Sequence, residues 1–340
     1  MDTLTQAVSG AVVGIALGEN NKLASISLAK RALIVALAAA APDLDNLLAL
    51  SGNPFLYLDH HRGITHSIVL LPVWAVLLGL LFAWLLKLKA AKKEVILLAG
   101  IGIAAHIAGD LITAYGTMVF TPISSIRFSF PITFIIDLVF SGILLAGLAV
   151  AAWKHSARVA LFSLLMLGSY LGLQSVLHYH ARAIGQAYAE ASDLSATEMH
   201  VYPQPLSPFR WKIVVVTDKH YHRAYVDFLA SETPEPAGAD ASFFETLNAS
   251  YQPTDQANWR AVLKYPEAVR IATKARKAWQ QPGFASYREF AELPVVLRVR
   301  EEDSFLCVWF TDMRFALPGR KPPFSYAQCE DEFREWHLKN

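Results

Sequence analysis

Only two cysteines occur in the 340 residues, Cys307 and Cys329, and they do not form a CxxC pair. A disulfide framework and a thiolate zinc site are therefore excluded, and one bridge remains open if that segment lies outside the cytoplasm. Charge is also scarce: Asp, Glu, Lys and Arg make up 17% of the residues against 54% hydrophobic, with a net charge of +1. Soluble domains carry about 25% charged residues, so part of this chain is expected in lipid. No basic stripe with interleaved aromatics points to nucleic acid, and no motif for an organic cofactor is present. The N-terminus lacks the basic region and small-residue cleavage site of a secretory signal, so its apolar stretch is expected to be retained.

What charge there is falls unevenly, thin up to about residue 178 and dense beyond it. This predicts a membrane domain over residues 1–180 and a soluble domain over 181–340. A spanning helix needs about 20 mostly apolar residues. Residues 67–88, 95–114, 132–153 and 159–177 satisfy this, while 4–17 and 32–50 are shorter or interrupted by Pro42, Asp43 and Asp45. The expectation is an all-α membrane helical bundle of about six helices, followed by a soluble α+β domain. In that second domain, 211–217 and 294–310 read as strands and 243–279 as helix-permissive. Lys87, Lys89, Lys92 and Lys93 crowd the short connection between two spans, which the positive-inside rule assigns to the cytoplasm. The segments 22–31 and 154–158 then fall on the same side, and both are basic. The chain is thus expected as a multi-pass protein of a bacterial inner membrane, with residues beyond 178 on the extracytoplasmic side.

Ionisable residues in membrane helices are costly, and here they cluster. Asp43 and Asp45 flank one leucine near the end of the second hydrophobic segment. His61, Arg62 and His66 lie just before the third. His106 and Asp110 stand four apart, one turn apart on one helical face. With Asp137 they all map to the outer ends of their segments, so one shared site is geometrically possible. Imidazole with carboxylate suits zinc, manganese or iron, and a cation offsets the buried negative charge. Bound metal acidifies water or polarises a phosphoryl or carbonyl oxygen, which points to hydrolysis. Arg62 either holds a substrate phosphate or reaches lipid headgroups. Asp137 is a candidate orienting group or general base, and it can equally pair with Arg62 or Arg127. His178, His180, His220 and His222 are expected at the interface or the surface.

The motifs at residues 1–6 (MDTLTQ), 41–45 (APDLD), 61–67 (HRGITHS) and 106–113 (HIAGDLIT) resemble those of the YdjM-like family of predicted membrane-bound metal-dependent hydrolases. The resemblance covers about the first 180 residues. It implies a helical zinc site acting on phosphoester or lipid-like substrates, akin to zinc-dependent phospholipase C and P1-type nucleases. By position it implies His61, His66, His106 and Asp110 as metal ligands, with Asp43 and Asp45 as additional ones and Asp2 in the N-terminal signature. Gln6 departs from the family pattern, which has His there, so one metal of a multinuclear site is open to loss. Expected partners are membrane lipids and a small-molecule or lipid substrate. Two other readings compete. An ion- or proton-coupled transporter predicts a polar path through both leaflets, and a catalytically silent scaffold predicts that the soluble domain binds a partner.

Overall fold

The computed structural model describes residues 1–18, 25–238, 240–302, 305–331 and 335–339, so the start of the basic 22–31 segment lies outside the described residues. The chain divides into two compact units, Met1–Leu177 with Pro203–Pro208, and His178–Tyr202 with Phe209–Asn340.

The first unit is helical. Its elements are α1 (Thr3–Ala16), α2 (Leu28–Ala40), α3 (Pro54–His60), α4 (Leu71–Leu85), α5 (Lys92–Leu111), α6 (Leu138–Trp153) and the start of α7 (Ala157–Ala191). Helix α2 continues into a 3-10 stretch, Ala41–Ser51, with Pro42 in its first turn. Among the described residues, three helical segments are long and apolar enough to cross a membrane: Leu28–Ser51, Lys89–Leu111 and Ala157–Ala191. A fourth span is complete only if Pro54–His66 and Leu71–Leu85, bent by 79°, count as one. The expected six is thereby corrected. Helices α1 and α6 have 14 and 16 residues, which gives lengths of about 21 and 24 Å against a hydrocarbon core of about 30 Å.

Small residues bring three of these helices together. A Cβ on Gly10 of α1 would lie 2.6 Å from the Val35 carbonyl oxygen, and a Cβ on Gly102 of α5 would lie 2.6 Å from the same atom. Helix α2 is therefore clasped on two sides at backbone distance, the close approach that glycine permits between membrane helices. Buried Ile34, Val35, Ala38, Val95, Leu98 and Ala99 fill the seam. This packing sets the ends of α1, α2 and α5 side by side.

The second unit is α+β, as expected in outline. One sheet holds β1 (Glu198–Pro203), β2 (Arg210–Val216), β3 (His220–Asp227) and β4 (Gln252–Pro253) in that order, with β5 (Arg260–Leu263) antiparallel to β3. A second, antiparallel sheet holds β6 (Pro294–Glu302), β7 (Phe305–Asp312), β8 (Tyr326–Glu330) and β9 (Trp336–Lys339). Helices α8 (Phe243–Ala249), α9 (Val269–Trp279) and α10 (Ala285–Phe290) complete it. Trp279, Phe284, Tyr287 and Phe310 form an aromatic core with ring centroids 5.0 to 5.8 Å apart. Cys307 and Cys329 face each other across β7 and β8 and form a disulfide.

Candidate metal centre

Four side chains from three segments converge at one end of the helical unit. Asp43 comes from the 3-10 continuation of α2, His66 from the turn before α4, and His106 and Asp110 from one face of α5. The Nε2 atoms of His66 and His106 are 2.9 Å apart. Asp110 Oδ2 lies 3.1 Å from the first and 3.3 Å from the second. Asp43 Oδ1 stands slightly back, 3.9 Å from His66 Nε2 and 3.7 Å from His106 Nε2. All four residues are buried, and His66, His106 and Asp110 have no exposed surface. Ligand atoms about 2.0 Å from a tetrahedral ion lie about 3.3 Å from one another, so these spacings fit a single divalent cation.

The hydrogen-bond partners of the two rings bear on which of their atoms can accept a cation. His106 Nδ1 is 2.6 Å from the Ala39 carbonyl oxygen. A carbonyl only accepts, so Nδ1 carries the hydrogen, and Nε2 of the neutral ring is left with a lone pair. His66 Nδ1 lies 2.9 Å from the Thr65 hydroxyl oxygen, which itself donates to Asp45, and 3.3 Å from Asp45 Oδ2, so Nδ1 carries the hydrogen and Nε2 of the neutral ring is left bare. Two lone pairs and two carboxylate oxygens then point at one another in a site without water-facing surface. Asp110 Oδ2 has no hydrogen-bond partner there. A cation held among these atoms, or a proton on His66 Nε2 donated to Asp110 Oδ2 at 3.1 Å, relieves that repulsion. The residues fit a metal, and Asp43, His66, His106 and Asp110 are the group that can hold it.

A supporting layer fixes each ligand. Asp43 Oδ2 accepts from the Thr3 hydroxyl at 2.6 Å. Asp110 Oδ1 is occupied by the Met1 nitrogen at 2.5 Å, Arg62 Nη2 at 3.0 Å and Gln6 Nε2 at 3.1 Å. With Oδ1 so engaged, Asp110 offers only Oδ2 to the ligand set. Gln6 also donates to the His106 carbonyl at 3.1 Å. It therefore stands beside the ligands as a support, held by two donations from one amide.

The other residues singled out in the sequence fall outside the four-atom group. Asp45 takes the second layer: it accepts from His61 Nδ1 at 2.7 Å, the Arg62 backbone N–H at 3.1 Å and the Thr65 hydroxyl at 2.9 Å, and it faces His66 Nδ1. His61 is buried, stacks on Tyr57 and points its Nδ1 at Asp45. Asp2 caps α1 through Thr5 N–H. Arg62 is turned inward: Nη1 donates to the Thr113 hydroxyl at 2.8 Å and Nη2 pairs with Asp110, with the guanidinium 5.0 Å from the Tyr115 ring centre. Buried this way it positions Asp110 and is not presented to a substrate phosphate. Asp137 caps α6, accepting from Val139 and Phe140 N–H, while its second oxygen accepts from the Tyr170 hydroxyl at 2.6 Å. Both of its oxygens are engaged in these bonds, and Asp137 is not among the four grouped residues. Among the surface histidines, His222 Nδ1 lies 3.0 Å from the Tyr188 hydroxyl.

Sequence reasoning missed the Ala39 carbonyl, Thr3, Thr65 and Thr113. A backbone acceptor has no sequence signature. The threonines lie inside the quoted motifs, and their proximity to Asp43, Asp45 and Asp110 was the available signal.

Apolar helices joined to a buried His/Asp cluster of this kind define a membrane protein with a metal-type centre between its helices. The chain belongs to the YdjM inner membrane protein family, whose model matches residues 1–181. It is 33% identical over 126 residues to the uncharacterized protein YfhP of Bacillus subtilis (strain 168), a match covering 36% of this chain and 38% of that protein. No solved structure matches the chain.

Proposed function

We propose that this protein is a metal-dependent hydrolase of the membrane, acting on phosphoester or lipid-like substrates with one divalent cation, zinc by preference, held by Asp43, His66, His106 and Asp110. The observation that carries the metal is the convergence of one ligand atom from each of Asp43, His66, His106 and Asp110, all buried, with Asp110 Oδ2 lacking a hydrogen-bond partner. Three of the ligand atoms lie within 3.3 Å of one another and Asp43 Oδ1 lies further back. Two imidazoles and one carboxylate are a ligand set common to catalytic zinc, whereas closed four-residue sites are structural. The withdrawn Asp43 favours the catalytic reading. A cation there supplies Lewis acidity toward a phosphoryl or carbonyl oxygen and acidifies water. Asp43 is anchored by the Thr3 hydroxyl, and Arg62 and Gln6 keep Asp110 in one orientation.

The site and the second unit belong on the extracytoplasmic side in this reading. Two observations support it: the lysines at 87, 89, 92 and 93 between α4 and α5, and the Cys307–Cys329 disulfide, since disulfides persist in oxidising compartments.

The test is metal analysis of the intact protein purified in detergent, followed by assay on a chromogenic phosphodiester and a fluorogenic phospholipid in mixed micelles. One equivalent of divalent metal, lost in His106→Ala and required for turnover, is expected. Absence of metal, with no uptake on adding zinc, overturns the centre. Stoichiometric metal without turnover of either ester overturns the hydrolase and leaves the centre standing.

A further inference from the structure

Between α5 and Asp137, the N-cap of α6, run 25 residues, 112–136, with one charged residue, Arg127. An ordinary soluble stretch of that length carries about six. Arg127 does not face solvent with its charge: its guanidinium donates to the carbonyls of Leu58, His61 and Gly116. Apart from Ser125, what the segment shows outward is apolar. Ile123 is 78% exposed, Ile126 64% and Phe130 63%, with Phe120, Ile135 and Ile136 also exposed. A water-facing loop has the opposite distribution.

Many of the backbone N–H groups of the segment are met within the protein. Thr117 and Phe128 exchange N–H to carbonyl bonds at 2.9 and 3.0 Å. Ile123 N–H donates to the Phe120 carbonyl, Phe130 N–H to that of Leu111, and Ile132 N–H to that of Ile112. Ile126 N–H takes the Ser124 hydroxyl. Non-helical backbone is tolerated at membrane depth when its polar groups are met within the protein. The inner side of the segment is fastened to the 60–67 motif, through Met118 N–H to the Arg62 carbonyl and Ile68 N–H to the Val119 carbonyl, each at 2.9 Å.

We infer that residues 112–136 are a membrane-seated cover whose outer face, Ile123, Ile126 and Phe130, lies against the acyl chains of the leaflet nearest the metal centre. The occupant is lipid because the apolar face follows directly on the end of the spanning segment Lys89–Leu111. Lipid on its outside and the His61–His66 turn on its inside make the cover a wall between bilayer and site. This inference is independent of whether the centre hydrolyses anything.

These 340 residues contain no cysteine outside the disulfide, so single cysteines can be introduced and spin-labelled without reductant. Ile123→Cys, Ile126→Cys and Phe130→Cys are placed in phosphatidylcholine vesicles and compared with Leu77→Cys on α4 and Leu229→Cys in the second unit, both exposed apolar positions. Power saturation compares collisions with oxygen, which partitions into lipid, and with a water-soluble nickel chelate. The logarithm of the oxygen-to-nickel ratio is expected to be positive at all three cover positions, as at Leu77, and negative at Leu229. Negative values at 123 and 126 overturn the inference, showing a face that meets water or awaits a protein partner. Because the replaced side chains point outward, labelling does not disturb the core, and each variant is checked by its metal content.

Discussion

Asp45→Asn separates a supporting carboxylate from a ligand. The substitution preserves shape and removes the negative charge that faces His66 Nδ1 at 3.3 Å and His61 Nδ1 at 2.7 Å. An amide keeps one accepting oxygen, so of the four groups directed at Asp45, those on the nitrogen side lose their acceptor and meet another donor. His66 keeps the Thr65 hydroxyl 2.9 Å from Nδ1 and loses the carboxylate charge that raises the basicity of Nε2. Losing such an outer partner lowers metal affinity by about 10- to 100-fold, which is about 1.4 to 2.7 kcal/mol. The assay is competition between the metal-stripped protein in detergent and a fluorescent zinc chelator. It is run beside His66→Ala, which removes a ligand atom outright and is expected to lose more. An unchanged zinc Kd in Asp45→Asn would refute the basicity argument. A loss equal to that of His66→Ala would make Asp45 itself a ligand.

Asp137→Ala is expected to lower the melting temperature, by about 1 kcal/mol of lost capping, and to leave zinc affinity unchanged; a matching loss of metal would return Asp137 to the site. Gly102→Ala sets a Cβ 2.6 Å from the Val35 carbonyl oxygen, whereas Gly142→Ala meets nothing within 4 Å. The first is expected to cost about 1 to 3 kcal/mol through overpacking and to weaken zinc binding by displacing α5 from α2, with the second near neutral in both thermal melting and titration. In the second unit, Lys212 is buried and donates to the carbonyls of Met313, Arg314 and Ala316; burial, reinforced by the Arg223 charge, pushes its ammonium down to about 7. The unfolded chain then holds a proton that the folded one has released between about pH 7 and the ordinary lysine value of about 10.4. Stability contributed here is expected to rise with pH across that window, by at most about 1.4 kcal/mol per unit. The slope is to be smaller in Lys212→Met, and identical slopes in the two proteins would show that the three carbonyls hold the proton in place.

How far the site could be read from the sequence depended on the local geometry of each motif. His106 and Asp110 were legible because α5 is a regular helix, where a spacing of four places both on one face. Asp43 and Asp45 looked equivalent, yet they lie on the 3-10 continuation of α2, where two residues advance about 240° around the axis. One carboxylate therefore meets the ligand set and the other turns to His61 and Thr65. His61 and His66 were indistinguishable for a different reason. Arg62 between them has a φ of 59°, a left-handed turn that non-glycine residues adopt at a cost of order 1 kcal/mol, and no spacing rule carries a side-chain direction across it. The same turn sends Arg62 inward to Asp110 and its carbonyl outward to Met118. The number of spans was obscured by apolar composition, which marks α1 and α6 as membrane-compatible without giving them the length to cross. The second unit was legible in class, through alternation such as Leu297 to Arg300, while the short β4 and β5 that pair with β3 had no hydrophobic run to betray them. Regular elements thus announced the ligands they carry, and the irregular turns that select among neighbouring His and Asp residues were visible only once the chain was folded.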